Sequence, residues 1–394
     1  MLYRLVRIVS LTVGPYCPRS GRWNRPGRVA AAVLSLLIAG CSDASDAGDG
    51  AQTNAAAGSA KARSAVVLEY HHVDTQTPAA TSVTPEQFEA HLEHLAANEF
   101  HVWPLPRLVR TLRRGDEVPA RTVAITFDDA YVSVYEEAFP RLQERGWPFT
   151  VFVAPGITDK GYELHASWDQ LREMEAAGAT MANHSMDHPH MVARGERSRE
   201  QWLAAMRAQV TDAQDRLERE LEDPAQLFAW PFGEFSPPLQ QMLAELDFVG
   251  FGQQSGAFGP QSDFTALPRY PYARSQQSLD TFDLKVRSRP LPVVATEPDS
   301  GVLGAEARRP ELSLSLGPGA YQPEDVRCYV GGSPAEFELD ADASPPILHI
   351  RPPSELGTGR TKINGTAPAR DGNHWLWYSF VWMKPNPDGS WYRD

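Results

Sequence analysis

Acidic and histidine side chains that can bind a metal ion or transfer protons occur in three short clusters. The first is Asp128 with Asp129, which directly follows the apolar run 123–127. Two adjacent carboxylates repel each other unless a cation or a shared proton relieves the repulsion. The pair is therefore a candidate for metal binding or general-base chemistry. The alternative is that the two acids cap a helix that follows them.

The second cluster contains His184 and His188, directly after the apolar run 180–183. Two histidines four residues apart can bind one metal ion when they occupy one turn of the chain. His190 is a rival for the second position, and each histidine could instead have a structural role. With a carboxylate from the first cluster, the pair would form an open site with two nitrogen ligands and one oxygen ligand, as in hydrolytic zinc enzymes.

The third cluster is His71 with His72, at the end of the apolar run 66–68 and Tyr70. A histidine at this position could act as a general acid, because the pKa of imidazole lies near neutrality. Successive side chains of a strand point to opposite faces, so only one of the two can face a pocket.

These clusters follow strands that alternate with helices between residues 65 and 287. Strands are predicted at 66–68, 123–127, 149–153, 180–183, 227–230 and 248–251. Helices are predicted after the capping box that begins at Thr84, and at 134–144, 168–177, 199–221 and 238–246. Such alternation predicts a parallel α/β fold, either a barrel or a doubly wound sheet. Both folds gather the carboxyl ends of their strands at one edge, where the three clusters would meet.

The remainder of the chain, 288–394, has a different pattern. A proline-rich joint at 290–299 precedes short strand-like runs at 312–316, 347–350 and 374–382. Short strands between Gly and Pro turns predict a β-sandwich-like module. Its aromatic residues either stack on sugars or fill the core of the module, and strand alternation assigns about half of them to the core; they are Trp375, Trp377, Tyr378 and Trp382.

The amino terminus resembles an export signal. Basic residues precede the apolar stretch 29–38, and Ile38-Ala-Gly-Cys41 resembles a bacterial lipobox, in which the cysteine becomes lipidated. The alternative is an ordinary signal peptide with an incidental cysteine. We therefore expect a signal peptide at 1–41, a lipid on Cys41, a flexible tether at 42–64, and a protein held in the cell envelope.

Composition excludes several classes of protein. With 394 residues of which 42% are hydrophobic, the chain is long enough for two domains and is not wholly disordered. The net charge of -13, without a basic patch, makes nucleic acid an unsuitable partner. Once Cys17 has left with the signal and Cys41 carries lipid, Cys328 remains alone, so no disulfide is expected within the mature chain.

Three motifs in order resemble those of the NodB-type polysaccharide deacetylases, carbohydrate esterase family four. They are Thr126-Phe-Asp-Asp129, His184-Ser-x-x-His188 and Trp230-Pro-Phe-Gly233. The resemblance covers about residues 65–285 and implies a distorted (β/α) barrel. It also implies that Asp128 is the general base and that Asp129, His184 and His188 bind a divalent metal. Zinc is the expected ion, with cobalt, nickel or iron as alternatives.

Two departures from the family pattern affect the expected site. The family usually has an arginine where this chain has Ala229, and a late histidine that supplies the acid. The amino-terminal Tyr-His instead resembles the circularly permuted poly-β-1,6-N-acetylglucosamine deacetylases, which implies His71 as the acid. Arg269 is expected to replace the missing arginine in space.

The third motif offers two further candidates. The resemblance suggests the backbone amide of Phe232 as an oxyanion donor beside the metal. Trp230 and Phe232 are expected to line a sugar cleft, with core packing as the alternative.

Taken together, the sequence predicts a metal-dependent N-deacetylase that acts on an extracellular or periplasmic acetylated polysaccharide, such as an N-acetylglucosamine polymer. An O-acetyl esterase would use the same residues. A non-catalytic carbohydrate-binding lipoprotein is the alternative of a different class. The separate β-module further predicts that residues 65–290 alone would still hydrolyse a short soluble substrate.

Overall fold

The computed structural model describes residues 60–274 and 278–393. The predicted signal peptide, Cys41 and the tether up to residue 59 lie outside the described residues. Within the described part, no helix has both the length and the apolar character needed to cross a membrane. The chain forms an α/β part up to Val286, followed by a part made of strands.

The α/β part contains thirteen strands and eight α-helices among the described residues. The strands are β1 (Lys61–Ala62), β2 (Ala65–Tyr70), β3 (His72–Val73), β4 (Ser82–Val83), β5 (His101–Val102), β6 (Val118–Pro119), β7 (Thr122–Phe127), β8 (Thr150–Val153), β9 (Thr180–Asn183), β10 (Ala225–Ala229), β11 (Val249–Phe251), β12 (Ala257–Phe258) and β13 (Tyr270–Pro271). The helices are α1 (Pro85–Ala97), α2 (Leu105–Arg113), α3 (Phe139–Glu144), α4 (Pro155–Thr158), α5 (Trp168–Ala176), α6 (Arg199–Glu220), α7 (Pro237–Glu245) and α8 (Leu279–Val286).

One curved sheet organises the α/β part. Its strands follow the order β11-β10-β9-β8-β7-β2-β12, with β5 and β13 attached to β7 and β2. The central strands β2 and β7 to β11 are parallel, and β12 is antiparallel to β2. Alternate residues of β2 enter two apolar clusters, Val66 with residues of α1 on one face and Val67 with residues of α2 on the other. The predicted barrel-like α/β fold is confirmed.

Local sequence explains where the helices begin. Helices α1, α5 and α6 all start with a capping box, in which the hydroxyl of Thr84, Ser167 or Ser198 accepts the backbone N–H of a glutamine three residues later. The predicted helix at 134–144 begins instead with a π-helical turn, Val134–Ala138, before α3. Part of the predicted tether is also ordered, because Lys61 and Ala62 of β1 pair with β6.

The part after Val286 is all β, as predicted. Its strands are β14 (Arg289–Pro290), β15 (Val293–Glu297), β16 (Leu312–Leu316), β17 (Arg327–Val330), β18 (Ser333–Pro334), β19 (Glu336–Asp340), β20 (Ile347–Arg351), β21 (Gly359–Pro368) and β22 (Trp375–Lys384). They form one sheet in the order β14-β22-β21-β17-β18 and a second in the order β15-β16-β20-β19. Both sheets contribute to a single apolar cluster, for example Leu314 from the second and Ile363 from the first, so they pack as a sandwich.

The β-sandwich also packs against the α/β part. Met383 of β22 belongs to the same apolar cluster as Trp230 and Leu243. The ring of Trp377 meets Tyr270 edge to face, with 5.5 Å between the ring centroids. The contact therefore reaches Trp230, which directly follows β10, and Tyr270, the first residue of β13.

Candidate active site

The carboxyl ends of neighbouring strands bring the predicted clusters together. Strand β2 leads into His71, β7 into the acidic pair, and β9 into His184. Strands β2 and β7 pair in parallel with Glu69 opposite Thr126, and the backbone N–H of Asp128 donates to the Tyr70 carbonyl at 2.9 Å. This register places the first and third clusters side by side.

Asp129, His184 and His188 form a group with the geometry of a metal site. Oδ1 of Asp129 lies 3.4 Å from Nε2 of His184 and 3.4 Å from Nε2 of His188. One ligand atom from each residue lies within 4.8 Å of the others. His190 is not part of this group, because its Nδ1 pairs with Glu234 at 2.9 Å. The structure thus places His188, and not His190, beside Asp129.

The tautomer of His184 supports metal binding. Its Nδ1 lies 2.8 Å from the Ala229 carbonyl, which can only accept, so this nitrogen carries the proton. When the ring is neutral, the opposite nitrogen, Nε2, is an acceptor, and it is buried without a hydrogen-bond partner among the described residues. Burial lowers the pKa of this ring, but Asp129 and then Asp128 outweigh burial and raise it, so a bound cation would take the place of a proton here. A buried acceptor left in this way is costly unless it has a ligand. Two imidazole nitrogens and one carboxylate oxygen fit a zinc-type ion, with the Ala229 carbonyl orienting one ligand.

A tight turn positions the two histidines. Oδ1 of Asn183 accepts the Ser185 N–H at 2.9 Å, and the Ser185 hydroxyl accepts the His188 N–H at 3.0 Å. Five of the eight non-glycine residues with positive φ in the described chain lie at this site; they are Asp129, Ala130, Ser185, His188 and Phe232. Each left-handed residue costs on the order of 1–2 kcal/mol, so the surrounding fold must hold them in place.

Charge controls the ionisation of Asp129. Burial by itself raises the pKa of this carboxyl, but the adjacent His188 and His184 outweigh burial and hold the pKa well below its usual range. Asp129 is therefore a carboxylate at neutral pH, as a metal ligand must be.

Asp128 is held by Arg269, the residue expected to replace the arginine missing at Ala229. Arg269 donates from Nη1 and Nη2 to the two oxygens of Asp128, both at 2.7 Å, and all these groups are fully buried. Arg269 is itself positioned by the Gly252 carbonyl and the Thr126 hydroxyl. Burial raises the pKa of Asp128, but the guanidinium and then His184 outweigh that effect and lower it. The fork leaves Asp128 ionised, with one lone pair per oxygen still available.

The two adjacent histidines separate as strand alternation requires. His71 lies on the same side as Glu69 and Asp128, and the three offer ligand atoms within 4.8 Å of one another. His72 is buried on the other side and stacks on Tyr131, with 3.5 Å between the ring centroids. Burial lowers the pKa of His72 to about 4, so it is uncharged at neutral pH.

Glu69 is a site residue that the motifs did not reveal. It is fully buried, and neither of its carboxylate oxygens has a hydrogen-bond partner in the described structure. Its Oε2 lies 3.6 Å from Nε of Arg269, and its Oε1 lies 4.0 Å from Nε2 of His71. Burial raises the pKa of Glu69, although Arg269 acts in the opposite direction. The available signal was its position two residues before His71 in an otherwise apolar strand.

The third motif lies beside the ligand group as expected, but Trp230 does not have the role that we expected for it. Trp230 is fully buried in an apolar cluster, and its indole N–H donates to the Thr265 carbonyl at 2.8 Å. It is therefore a core residue, and the expectation that it lines a sugar cleft is wrong. Phe232 is only half-buried, and its ring contacts His188 edge to face at 4.4 Å between centroids. Phe232 thus borders the ligand group.

The aromatic residues of β22 divide between core and surface. Trp382 is fully buried in the sandwich, whereas Trp375 remains 40% exposed. Trp377 and Tyr378 line a cavity of about 1310 Å³ at the junction with the α/β part. The metal-ligand group does not line that cavity, although Gly233 beside Phe232 does.

Comparison with known proteins agrees with the motifs. Residues 115–251 match the family model described as polysaccharide deacetylase. The poly-β-1,6-N-acetyl-D-glucosamine N-deacetylase of Staphylococcus epidermidis is 25% identical over 227 residues, covering 52% of this chain and 78% of that protein. The protein of the same name from Escherichia coli K12 is 23% identical over 248 residues, covering 52% of this chain but only 36% of that protein.

A solved structure shows the same fold. IcaB from Ammonifex degensii superposes with a TM-score of 0.51 at 23% identity, over 57% of this chain and 98% of that one. The superposition takes in nearly all of that chain but little more than half of this one. Residues 115–251 are therefore similar in sequence to the polysaccharide deacetylases, and the chain shares the fold of a solved member of that group.

Proposed function

We propose that this protein hydrolyses N-acetyl groups on an N-acetylglucosamine polymer outside the cytoplasm. The observation that carries the proposal is the ionised Asp128, fixed by Arg269, beside an Asp129, His184 and His188 group with an unpartnered Nε2. The names of the relatives, which are poly-β-1,6-N-acetylglucosamine N-deacetylases, support the choice of polymer.

In this proposal the residues of the chain have separate tasks. A zinc-type ion held by Asp129, His184 and His188 would supply a Lewis acid that polarises the acetyl carbonyl and makes water more acidic. Asp128 accepts the proton of the attacking water through a lone pair that Arg269 does not use. The backbone amide of Phe232 is assigned to the oxyanion that develops on the acetyl oxygen.

His71 completes the reaction as the general acid. It lies on the inner side of β2, near Asp128, while His72 is turned away and uncharged. A proton from His71 to the departing nitrogen yields a free amine, and the water oxygen remains in acetate. The proton taken up by Asp128 and the proton given by His71 balance over one turnover.

The test is acetate release from a soluble β-1,6-linked N-acetylglucosamine oligomer by zinc-loaded protein. We expect acetate and free amine in equal amounts, and loss of both with a chelator. Hydrolysis of an O-acetylated polysaccharide with the amide left intact would instead favour the esterase alternative. Binding of the oligomer without any acetate release would favour the non-catalytic alternative.

We also infer that the protein is anchored to the cell envelope by a lipid on Cys41. The support is the sequence Ile38-Ala-Gly-Cys41 after a basic and then apolar leader. We expect the wild-type protein in the membrane fraction, because acyl chains on that thiol partition into lipid, and the Cys41→Ser variant in the soluble fraction. Immunoblots of separated fractions check this. A wild-type protein that is already soluble and unlipidated would disprove the anchor.

A further inference from the structure

The turn that holds Phe232 needs support from outside itself. Phe232 has φ 58° and ψ 7°, and the next residue, Gly233, has φ 68°. A left-handed conformation at a phenylalanine is unfavourable by about 1–2 kcal/mol. Gly233 cannot be replaced by a larger residue, because an added Cβ would lie 2.6 Å from the Gln253 side chain. The turn is therefore strained at a position that borders the metal-ligand group.

The β-sandwich supplies one support directly to Phe232. Nη1 of Arg360, at the start of β21, donates to the Phe232 carbonyl at 2.7 Å. The same guanidinium lies over the Phe232 ring, 5.4 Å from its centroid. One arginine therefore holds both the backbone and the side chain of Phe232.

The carboxyl-terminal segment supplies a second support through Glu234. The Tyr392 hydroxyl and the Trp391 indole N–H, at 3.3 Å, donate to this fully buried carboxylate. Glu234 also holds His190, whose ring stacks on Phe232 with 3.9 Å between centroids and 13° between planes. Both supports originate in the β-sandwich or in the segment after it, and both end at Phe232.

From these contacts we infer that the β-sandwich is part of the catalytic centre, with Arg360 as a positioning residue for the Phe232 turn. The inference rests on the proposed function, because the turn carries the amide assigned to the oxyanion. Arg360 acts through Phe232 and is not itself assigned a contact with substrate. Its loss should therefore affect transition-state stabilisation more than substrate binding.

The experiment compares Arg360→Ala, Arg360→Lys and the control Arg351→Ala in the mature full-length chain. Arg351 is an exposed arginine of the same sandwich, paired with Glu311 and outside these contacts. For Arg360→Ala we expect kcat to fall about 10- to 100-fold with KM within about twofold, a smaller loss than removal of an oxyanion donor. Arg360→Lys should recover part of the loss, because one donor to the carbonyl can be restored.

Hydrogen–deuterium exchange of the peptide that covers residues 231–234 provides a readout independent of activity. We expect faster exchange in Arg360→Ala and wild-type exchange in Arg351→Ala. Unchanged exchange, unchanged kcat, or a rise in KM alone would each overturn the inference. Arg360 is exposed, so we expect all variants to keep the wild-type melting temperature. If the melting temperature of Arg360→Ala is lower than that of the wild type, the kcat, KM and exchange of Arg360→Lys are used to decide instead.

The two proposals fail in different ways. If the wild-type protein releases no acetate although exchange at 231–234 depends on Arg360, the proposed function fails and the positioning contact stands. If the wild-type protein is active and Arg360→Ala matches it in kcat, the positioning role fails and the proposed function stands.

Discussion

At the scale of single residues, the adjacent acids have opposite environments. Asp129 lies 3.4 Å from two histidine nitrogens that can share a metal, whereas Asp128 is enclosed by the Arg269 fork at 2.7 Å. We therefore expect Asp129→Asn to weaken zinc binding, because a neutral amide is a poorer ligand. Asp128→Asn should keep zinc but lower kcat about 10²–10⁴-fold, as for loss of a general base. Metal content and kinetics measured on both variants check the assignment.

Stability must be measured on the same two variants. Asp128→Asn leaves Arg269 buried with Glu69 as the nearest remaining acid, at 3.6 Å. Breaking a buried ion pair on one side destabilises by about 3–5 kcal/mol, so the melting temperature should fall. If the Asp128→Asn variant stays folded but loses zinc, then Asp128 is the metal ligand and Asp129 is the general base. If neither substitution changes metal content or rate, the acids have only a structural role and the enzymatic assignment is wrong.

The two neighbouring histidines provide a second prediction at this scale. His71→Ala should retain zinc and lower kcat about 10²–10⁴-fold, because the proposed acid is lost. His72→Ala should reduce activity only a few-fold, since His72, with a pKa of about 4, is uncharged at neutral pH and packs on Tyr131. Steady-state kinetics on the oligomer, with zinc content as the control, measure both. A larger loss of activity for His72→Ala than for His71→Ala would show that His71 is not the general acid.

At the scale of elements, the sequence predicts the polar clusters at the strand ends well, but it predicts the position of Arg269 only in part. The sequence placed polar clusters directly after β2, β7 and β9, and parallel pairing brings those ends together. Arg269 comes from an irregular segment 141 residues after Asp128, where no periodicity indicates a direction. It reaches the site because β13, beginning at the next residue, pairs in parallel with β2. Such long-range pairing depends on the tertiary fold and not on local pattern.

Other elements show the same limit. Helix α2 was not predicted, because Pro104 and Pro106 flank its first residue, although proline is tolerated in the first turn of a helix. Glu69 was missed because motif spacing marks residues that follow a strand, whereas Glu69 lies within one. Glu69 lies two residues before His71, so strand alternation predicts that both side chains point to the same side. The sequence does not predict that Glu69 is buried, because its burial depends on the packing of Arg269 against it.

At the scale of the whole molecule, the β-sandwich is joined to the site more closely than the sequence suggests. Met383 packs in one apolar cluster with Trp230, and Trp377 meets Tyr270 edge to face. Lys362 of β21 donates to the Ser255 hydroxyl at 3.3 Å, and burial lowers the pKa of this lysine to about 8. The sequence shows only a proline-rich joint between the two parts, whereas these contacts and those of Arg360 join them through a shared core.

The sequence predicts that residues 65–290 suffice for activity on short substrates, and the contacts of the β-sandwich lead us to expect the opposite. A chain ending at residue 290 lacks Arg360, Trp391 and Tyr392, so the Phe232 turn loses its supports. It also exposes the apolar face that Met383 covers. We expect kcat on a short oligomer to fall by more than in Arg360→Ala, because oxyanion geometry and packing are lost together. Circular dichroism must first show that the fragment is folded, and a folded fragment with wild-type kcat would show that the sandwich acts independently of the site.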